Sequence, residues 1–369
     1  MNILLKRSQV SLAFAIMCII AAALSAAAQE EVIRVETEIV NLNVVVMDRQ
    51  GRRVGGLTRE DFEVYEDGAR QEITHFTATE RPLRLVLVFD VSLSMEAALP
   101  TVKQEALSLL GSLRPNDEVS IVSFASEVHR HSGWINREQA EDIIRSVMPE
   151  PHAQPVPATS GRPGYRVGDS NTHLYEAFQY VFDYFQADKD RIAVVMFSDG
   201  VDTGAGRAIQ RIRRRADEVG KELRRQAQES WTLVYPIRYQ TEQIIGEMPE
   251  PARRPFPGTI HIGSRPVDPG RELFAQIAVA SGGQVFEWTT RQDLVAAIGN
   301  ALADLRNQYS IAYAPPRTGG GNGFRRIRVC VKRPNLVART REGYFYDKLK
   351  RQRGTSSPQP NDRLQPTPR

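Results

Sequence analysis

The sequence predicts an α/β protein in which a doubly wound, mostly parallel sheet is inserted into a small all-β sandwich built from both ends of the chain. Three observations lead there. The stretches Leu83-Arg-Leu-Val-Leu-Val-Phe-Asp90 and Arg191-Ile-Ala-Val-Val-Met-Phe-Ser198 are almost continuously apolar, as strands buried on both faces are. Helical patterns alternate with strand patterns through the middle of the chain, which specifies parallel strands joined by helical crossovers. Period-two segments occur near both ends, and neither block is large enough to bury a core by itself.

Taken in chain order, the first segment reads as an export signal. Lys6 and Arg7 precede the apolar run from Val10 to Leu24, and small residues follow at Ala26-Ala27-Ala28 before Gln29. A charged region, an apolar region and an A-x-A site in that order predict a signal peptide over residues 1–28, and an exported, periplasmic or secreted protein. Residues 29–81 then form the N-terminal part of the sandwich. Leu42, Val44 and Val46 share one strand face, Asp48 to Gly51 makes a turn, and Phe62–Tyr65 and Gln71–Phe76 flank the hairpin signal Glu66-Asp67-Gly68.

Residues 82–307 form the insert. After the strand ending at Asp90, a helix is expected from Pro100 to Leu113, a strand from Glu118 to Phe124, and a helix capped by Asn136 and running through Met148. Pro149 to Asn171 is a Pro/Gly-rich loop, and Thr172 to Phe185 is helical with Leu174, Phe178, Val181, Phe182 and Phe185 on one stripe. Past the second apolar strand come a charged helix from Gly206 to Glu229, a strand from Thr232 to Arg238, and a helix from Glu272 to Ser281. The strand Gln284–Glu287 and the helix Gln292–Asn307 complete the insert. Residues 308–347 supply the C-terminal part of the sandwich. Its expected strands are Tyr309–Tyr313, Phe324–Val331 and Val337–Tyr346, with Gly319–Gly323 as a hairpin loop. Residues 348–369, rich in Pro and Gln, are expected to be disordered.

Composition narrows the function. The 48 basic and 44 acidic residues leave a net charge of +4, or +2 without Lys6 and Arg7, which gives no general reason to expect a nucleic-acid partner. Of two cysteines, Cys18 lies in the export segment, so the mature chain has Cys330 alone and no internal disulfide. Cys330 alternates with apolar neighbours, as a buried thiol does.

The chemistry-bearing residues fall where loops leave the carboxyl ends of the strands, the edge at which open α/β sheets bind ligands. Asp90-Val-Ser92-Leu-Ser94 follows the first apolar strand, Thr172 begins a helix after the long loop, and Asp199 follows the second apolar strand in Phe197-Ser-Asp-Gly200. All of them offer oxygen. An all-oxygen shell suits a hard divalent cation such as Mg²⁺ or Mn²⁺.

Asp90 to Ser94, Thr172 and Asp199 resemble the metal-ion-dependent adhesion site, or MIDAS, of the von Willebrand factor type A (VWA) domain, whose sheet is Rossmann-like. The resemblance covers residues 82–307, set into what would be an Ig-like sandwich. The flanking segments Asn43–Asp48, Leu57–Gly68 and Arg339–Tyr344 are similar to an exported bacterial family, the VWFA-related Acidobacterial domain proteins. By that resemblance Ser92, Ser94 and Thr172 would ligate the metal directly, with Asp90 and Asp199 acting through bound water. A shell poor in direct carboxylates leaves the cation with residual positive charge, so its open position favours an acidic side chain from a protein partner. The family has glycine where this chain has Leu93, and again where it has Asn171. Asparagine tolerates a left-handed backbone, whereas leucine does not. A loop requiring positive φ at Leu93 would therefore be strained or rearranged.

Other chemistry finds little support. There is no G-x-S-x-G elbow and no phosphate-binding G-x-x-x-x-G-K-[ST] loop, and no nucleophile in the set has an adjacent base. His129 and His131 on an edge strand form at most a two-ligand zinc clip, and read better as a solvated face. The basic residues from Arg207 to Arg225 are interspersed with Asp217, Glu218 and Glu222, as on an exposed helix with i,i+4 pairs. The expectation is a non-enzymatic, exported binding or adhesion protein. The competing expectations are a metal-independent structural subunit of a cell-envelope assembly and a metal-dependent hydrolase.

Overall fold

The computed structural model describes residues 39–78, 82–149, 173–185, 192–201, 209–230, 232–240, 260–262, 265–267, 269–315 and 323–346. All belong to one compact unit, Ile39–Arg369. The expected signal peptide, most of the loop ending at Asn171, Thr172 itself and the tail from residue 348 lie outside the described residues. So does Arg207, and of 209–217 only the backbone is described.

The chain enters on β1 (Val40–Asp48), which ends in the expected turn: the amides of Gln50 and Arg52 donate to Asp48 Oδ1, each at 2.9 Å. Next come β2 (Phe62–Glu66) and β3 (Ala69–Gln71), paired antiparallel. Asp67 at φ 47° and Gly68 at φ 85° make the tight turn between them, because matching strand twist in a two-residue hairpin needs positive φ at both central positions. β4 (Ile73–Ala78) follows at once, but in another sheet. The single strand expected over Gln71–Phe76 is therefore corrected: the chain changes sheet at Glu72, a corner that period-two alternation does not reveal.

The inserted sheet has six strands: β5 (Arg84–Asp90), β6 (Glu118–Phe124), β7 (Val128–Arg130), β8 (Ile192–Ser198), β9 (Leu233–Tyr239) and β12 (Phe286–Trp288). Their order is β12-β9-β8-β5-β6-β7, with every neighbouring pair parallel except β6 and β7. The short hairpin β10 (Ile260–Ile262) and β11 (Arg265–Val267) stands apart from it. The helices α1 (Leu99–Gly111), α2 (Arg137–Ser146) and α6 (Arg291–Arg306) cover one face, around Leu87, Phe89, Ile121, Val195 and Tyr235. On the other face α3 (Leu174–Phe185), α4 (Ile209–Glu229) and α5 (Pro269–Ser281) pack against Val86, Val88, Val194 and Met196. Asn136 caps α2 as expected, accepting from the Gln139 amide at 3.0 Å. Arg225 pairs with Glu229 at 2.7 Å, an i,i+4 pair on α4. Among the described residues no helix is long and apolar enough to cross a membrane.

The last strands are β13 (Gln308–Tyr313), β14 (Gly323–Val331), β15 (Leu336–Arg339) and β16 (Gly343–Tyr346). They complete two four-stranded sheets, β15-β1-β13-β4 and β16-β14-β2-β3. Leu42, Val44, Val64, Ile311, Ile327 and Tyr344 pack between them in one core drawn from both ends of the chain. Two expectations fail. β13 and β14 do not pair; each strand pairs with N-terminal partners instead, and residues 319–322, expected as a hairpin loop between them, lie outside the described residues. The strand expected over Val337–Tyr346 divides into β15 and β16 in separate sheets.

Charged contacts fix the sandwich against the helices. The buried carboxylate of Asp304 on α6 accepts Arg53 Nε at 2.7 Å and also pairs with Arg339. Arg341 donates to the Gln228 carbonyl at 2.8 Å near the end of α4, and to the Asn41 carbonyl on β1 at 2.9 Å.

Candidate metal centre

The strand order places β6 on one side of β5, and β8, β9 and β12 on the other. Connections therefore leave β5 and β8 in opposite directions, and the carboxyl ends of these two strands form the crevice of the sheet. Asp90 ends β5, while Ser198 ends β8 and Asp199 follows it.

The loop after β5 is shaped by Asp90 and by backbone bonds. The Val91 amide donates to the Phe124 carbonyl at 2.9 Å, tying the loop to β6. The Ser92 amide donates to Asp90 Oδ1 at 3.0 Å, a local turn that short carboxylates favour. Ser92 itself is extended (φ −65°, ψ 165°) and begins a 3-10 turn, Leu93–Met95, in which the Met95 amide donates to the Ser92 carbonyl at 3.0 Å. Met95 is buried and anchors the turn, whereas Leu93 is 55% exposed. Leu93 is not among the non-glycine residues at positive φ, which are Asp67 and Asn335 in the described chain. Leu93 is therefore not strained: the loop takes a turn that needs no positive φ at this position. A 3-10 turn uses negative φ throughout, and a leucine pointing to solvent meets no obstacle in it.

This turn holds the Ser92 and Ser94 hydroxyls 3.2 Å apart. Adjacent oxygens of an octahedral shell with metal–oxygen bonds of about 2.1 Å lie about 3 Å apart, so the pair fits one edge of a Mg²⁺ shell.

Across the crevice, Ser198 Oγ donates to Asp90 Oδ2 at 2.6 Å and accepts the Gly200 amide at 3.0 Å. Asp199 Oδ1 accepts the Val201 amide at 3.0 Å. Gly200 is at φ +82°, and a Cβ at Gly270 would fall on the Gly200 carbonyl oxygen, so the chain after β8 passes against α5 with room for backbone alone. Burial pushes the Asp90 carboxyl up, to about 7; the charge of Asp199 adds to the effect, and the bonds from Ser198 and Ser92 oppose it. Burial and then the charge of Asp199 also raise the Tyr239 hydroxyl; Tyr239 follows Arg238, the residue that pairs with Ser198 in the sheet.

Asp90, Ser92, Ser94 and Asp199 therefore share one edge of the sheet. Thr172 lies outside the described residues, but the next residue, His173, donates its amide to the Ala125 carbonyl at 2.8 Å, just past β6 at the same edge. Ser198 and Tyr239 are additions that sequence reasoning did not make. Ser198 was visible as the hydroxyl preceding Asp199; Tyr239 carried no signal, because its relevance comes from the pairing of β8 with β9. Among the described residues no three His, Cys, Asp or Glu side chains gather as a metal cluster. The hydroxyl-rich set after β5 is a different donor chemistry. His131 Nε2 is engaged with Ser123 Oγ at 2.7 Å, and His129 lies 3.8 Å from Glu127. Cys330 is a half-buried free thiol.

Residues 85–201, a span that includes all five candidate positions, match the family model for the von Willebrand factor type A domain. Among solved structures, the chain is similar to an aerotolerance-related membrane protein from Bacteroides fragilis NCTC 9343, at 16% identity, 60% of this chain, 98% of that chain and a TM-score of 0.37. It is also similar to a von Willebrand factor type A protein from Catenulispora acidiphila, at 10% identity, 86% of this chain, 76% of that one and a TM-score of 0.40. A third similarity is to proximal thread matrix protein 1 from the mussel byssus, described with a zinc-occupied MIDAS motif, at 13% identity, 65% of this chain, 50% of that one and a TM-score of 0.41. No curated protein matches the chain. The protein thus carries a von Willebrand factor type A domain, whose matched span runs from β5 to the loop that follows β8.

Proposed function

We propose that this is an exported, non-enzymatic binding or adhesion protein of the VWFA-related Acidobacterial domain family, and that it engages an acidic side chain of a protein partner through Mg²⁺ or Mn²⁺. Ser92, Ser94 and Thr172 ligate the ion, while Asp90 and Asp199 hold bound water and balance charge. The observation that carries the reading is the placement of two serine hydroxyls 3.2 Å apart beside two buried carboxylates, in the crevice of the sheet. A buried carboxylate whose proton affinity is raised by burial and by the charge of a second carboxylate gains from a cation beside it. The bound ion supplies a Lewis-acidic position for the partner's carboxylate. The chain's own residues orient the hydroxyls, through the Ser92 amide bond to Asp90, and tie the two loops together, through Ser198.

The competing reading is a metal-independent remnant in which Asp90 only caps its surroundings. It draws on the fact that both Asp90 oxygens already accept bonds from protein groups. Calorimetric titration with Mg²⁺ and Mn²⁺ separates the two. Metal binding by wild type, lost in Asp90→Ala and Thr172→Ala, supports the adhesion site. The same null response in all three proteins supports the remnant.

A further inference from the structure

We propose that Leu93 selects the partner: the protein binds acidic residues flanked by an apolar residue, which packs on the Leu93 side chain. This rests on the metal reading above and adds the chemical class of the ligand to it. Leu93 lies between the two serines, so its Cα is about 3.8 Å from the Cα of each. Any group that reaches an ion on those hydroxyls passes within reach of this side chain. Within the loop Ser92 and Met95 are buried and Ser94 is half-buried, while Leu93 is the exposed apolar residue of the turn, at 55%. On the β9 side of the site, half-buried Tyr239, one residue past the Ser198–Arg238 pair, packs on Trp288 at 4.5 Å between ring centroids. A free aspartate or a wholly polar acidic segment would leave Leu93 in water, whereas an apolar neighbour of the acid would cover it. Covering a leucine exposed to this degree is worth about fivefold to tenfold in affinity.

The test uses the full mature protein and phage-displayed peptides with a fixed central aspartate and random flanks, selected in Mg²⁺ or in EDTA. A parallel library carries asparagine at the centre. Wild type should enrich apolar residues beside the aspartate, in Mg²⁺ only. Leu93→Ser should lose that enrichment by about fivefold to tenfold. Leu93→Lys should replace it with acidic flanks, a gain that a misfolded variant cannot produce. If aspartate peptides are enriched in Mg²⁺ but the flanks are the same in all three proteins, Leu93 does not select the partner and the metal reading stands. If the aspartate library gains nothing over the asparagine library in Mg²⁺, the metal reading falls and this inference falls with it.

Discussion

Replacing Asp90 by asparagine in the metal-free protein isolates the electrostatic character of the site. The amide keeps the size of the side chain, can accept from the backbone N–H of Ser92, and can donate to Ser198, whose hydroxyl now bonds Asp90 Oδ2 at 2.6 Å. In wild type, burial and then Asp199 raise the Asp90 carboxyl from 3.8 to about 7. A raised carboxyl holds its proton longer in the native state than in the unfolded one. Its stabilising contribution is therefore complete below pH 3.8 and is lost as pH rises toward about 7. At about 1.4 kcal/mol per pH unit, the loss across that window is at most about 4 kcal/mol, or roughly 10 °C in melting temperature for a domain of this size. The assay is thermal and urea denaturation in EDTA between pH 4 and pH 8. Wild type should lose stability over this range relative to Asp90→Asn, and Mg²⁺ should restore wild type at pH 8 while adding little at pH 5. Parallel pH profiles for the two proteins would refute the claim that Asp90 is held in an unfavourable charge environment awaiting a cation.

Ser198→Ala removes the hydroxyl that bonds both Asp90 and the Gly200 amide, leaving buried groups without their partner. It should cost about 1–3 kcal/mol in urea unfolding and weaken Mg²⁺ affinity in calorimetry, since the two loops lose their bridge. Asp304→Ala leaves Arg53 and Arg339 facing each other without the buried carboxylate between them, and should cost about 3–5 kcal/mol by the same unfolding measurement. A loss below about 1 kcal/mol would show that the sandwich does not depend on α6 for its seat.

The central sheet was legible because its strands are buried on both faces, and such strands announce themselves as uninterrupted apolar runs. The runs ending at Asp90 and Ser198 are β5 and β8, and the loops that follow them hold the candidate residues. The hairpin at Asp67 and Gly68 was legible for a local reason, the need for two positive φ values in sequence. What escaped was the choice of sheet. Alternation shows that a segment has one buried face, but nothing in Gln71–Phe76 or Val337–Tyr346 says which sheet it joins, and both segments change sheet partway. The pairing of β14 with β2 brings Cys330 opposite Glu63, a partnership across most of the chain length that no local pattern contains. At the candidate site, Leu93 looked unfavourable because a family glycine implies positive φ, whereas the backbone here passes Leu93 in a 3-10 turn without positive φ. Ser198 escaped because its role depends on the crevice that brings the end of β8 to Asp90.

The most direct measurement is anomalous diffraction from crystals of the mature protein soaked in Mn²⁺. The account predicts a single strong peak in the crevice between the ends of β5 and β8, about 2.1 Å from the hydroxyl oxygens of Ser92, Ser94 and Thr172, with waters between the ion and Asp90 and Asp199. A crevice without such a peak at saturating Mn²⁺, with the Asp90 oxygens still bonded only to Ser92 and Ser198, would contradict it.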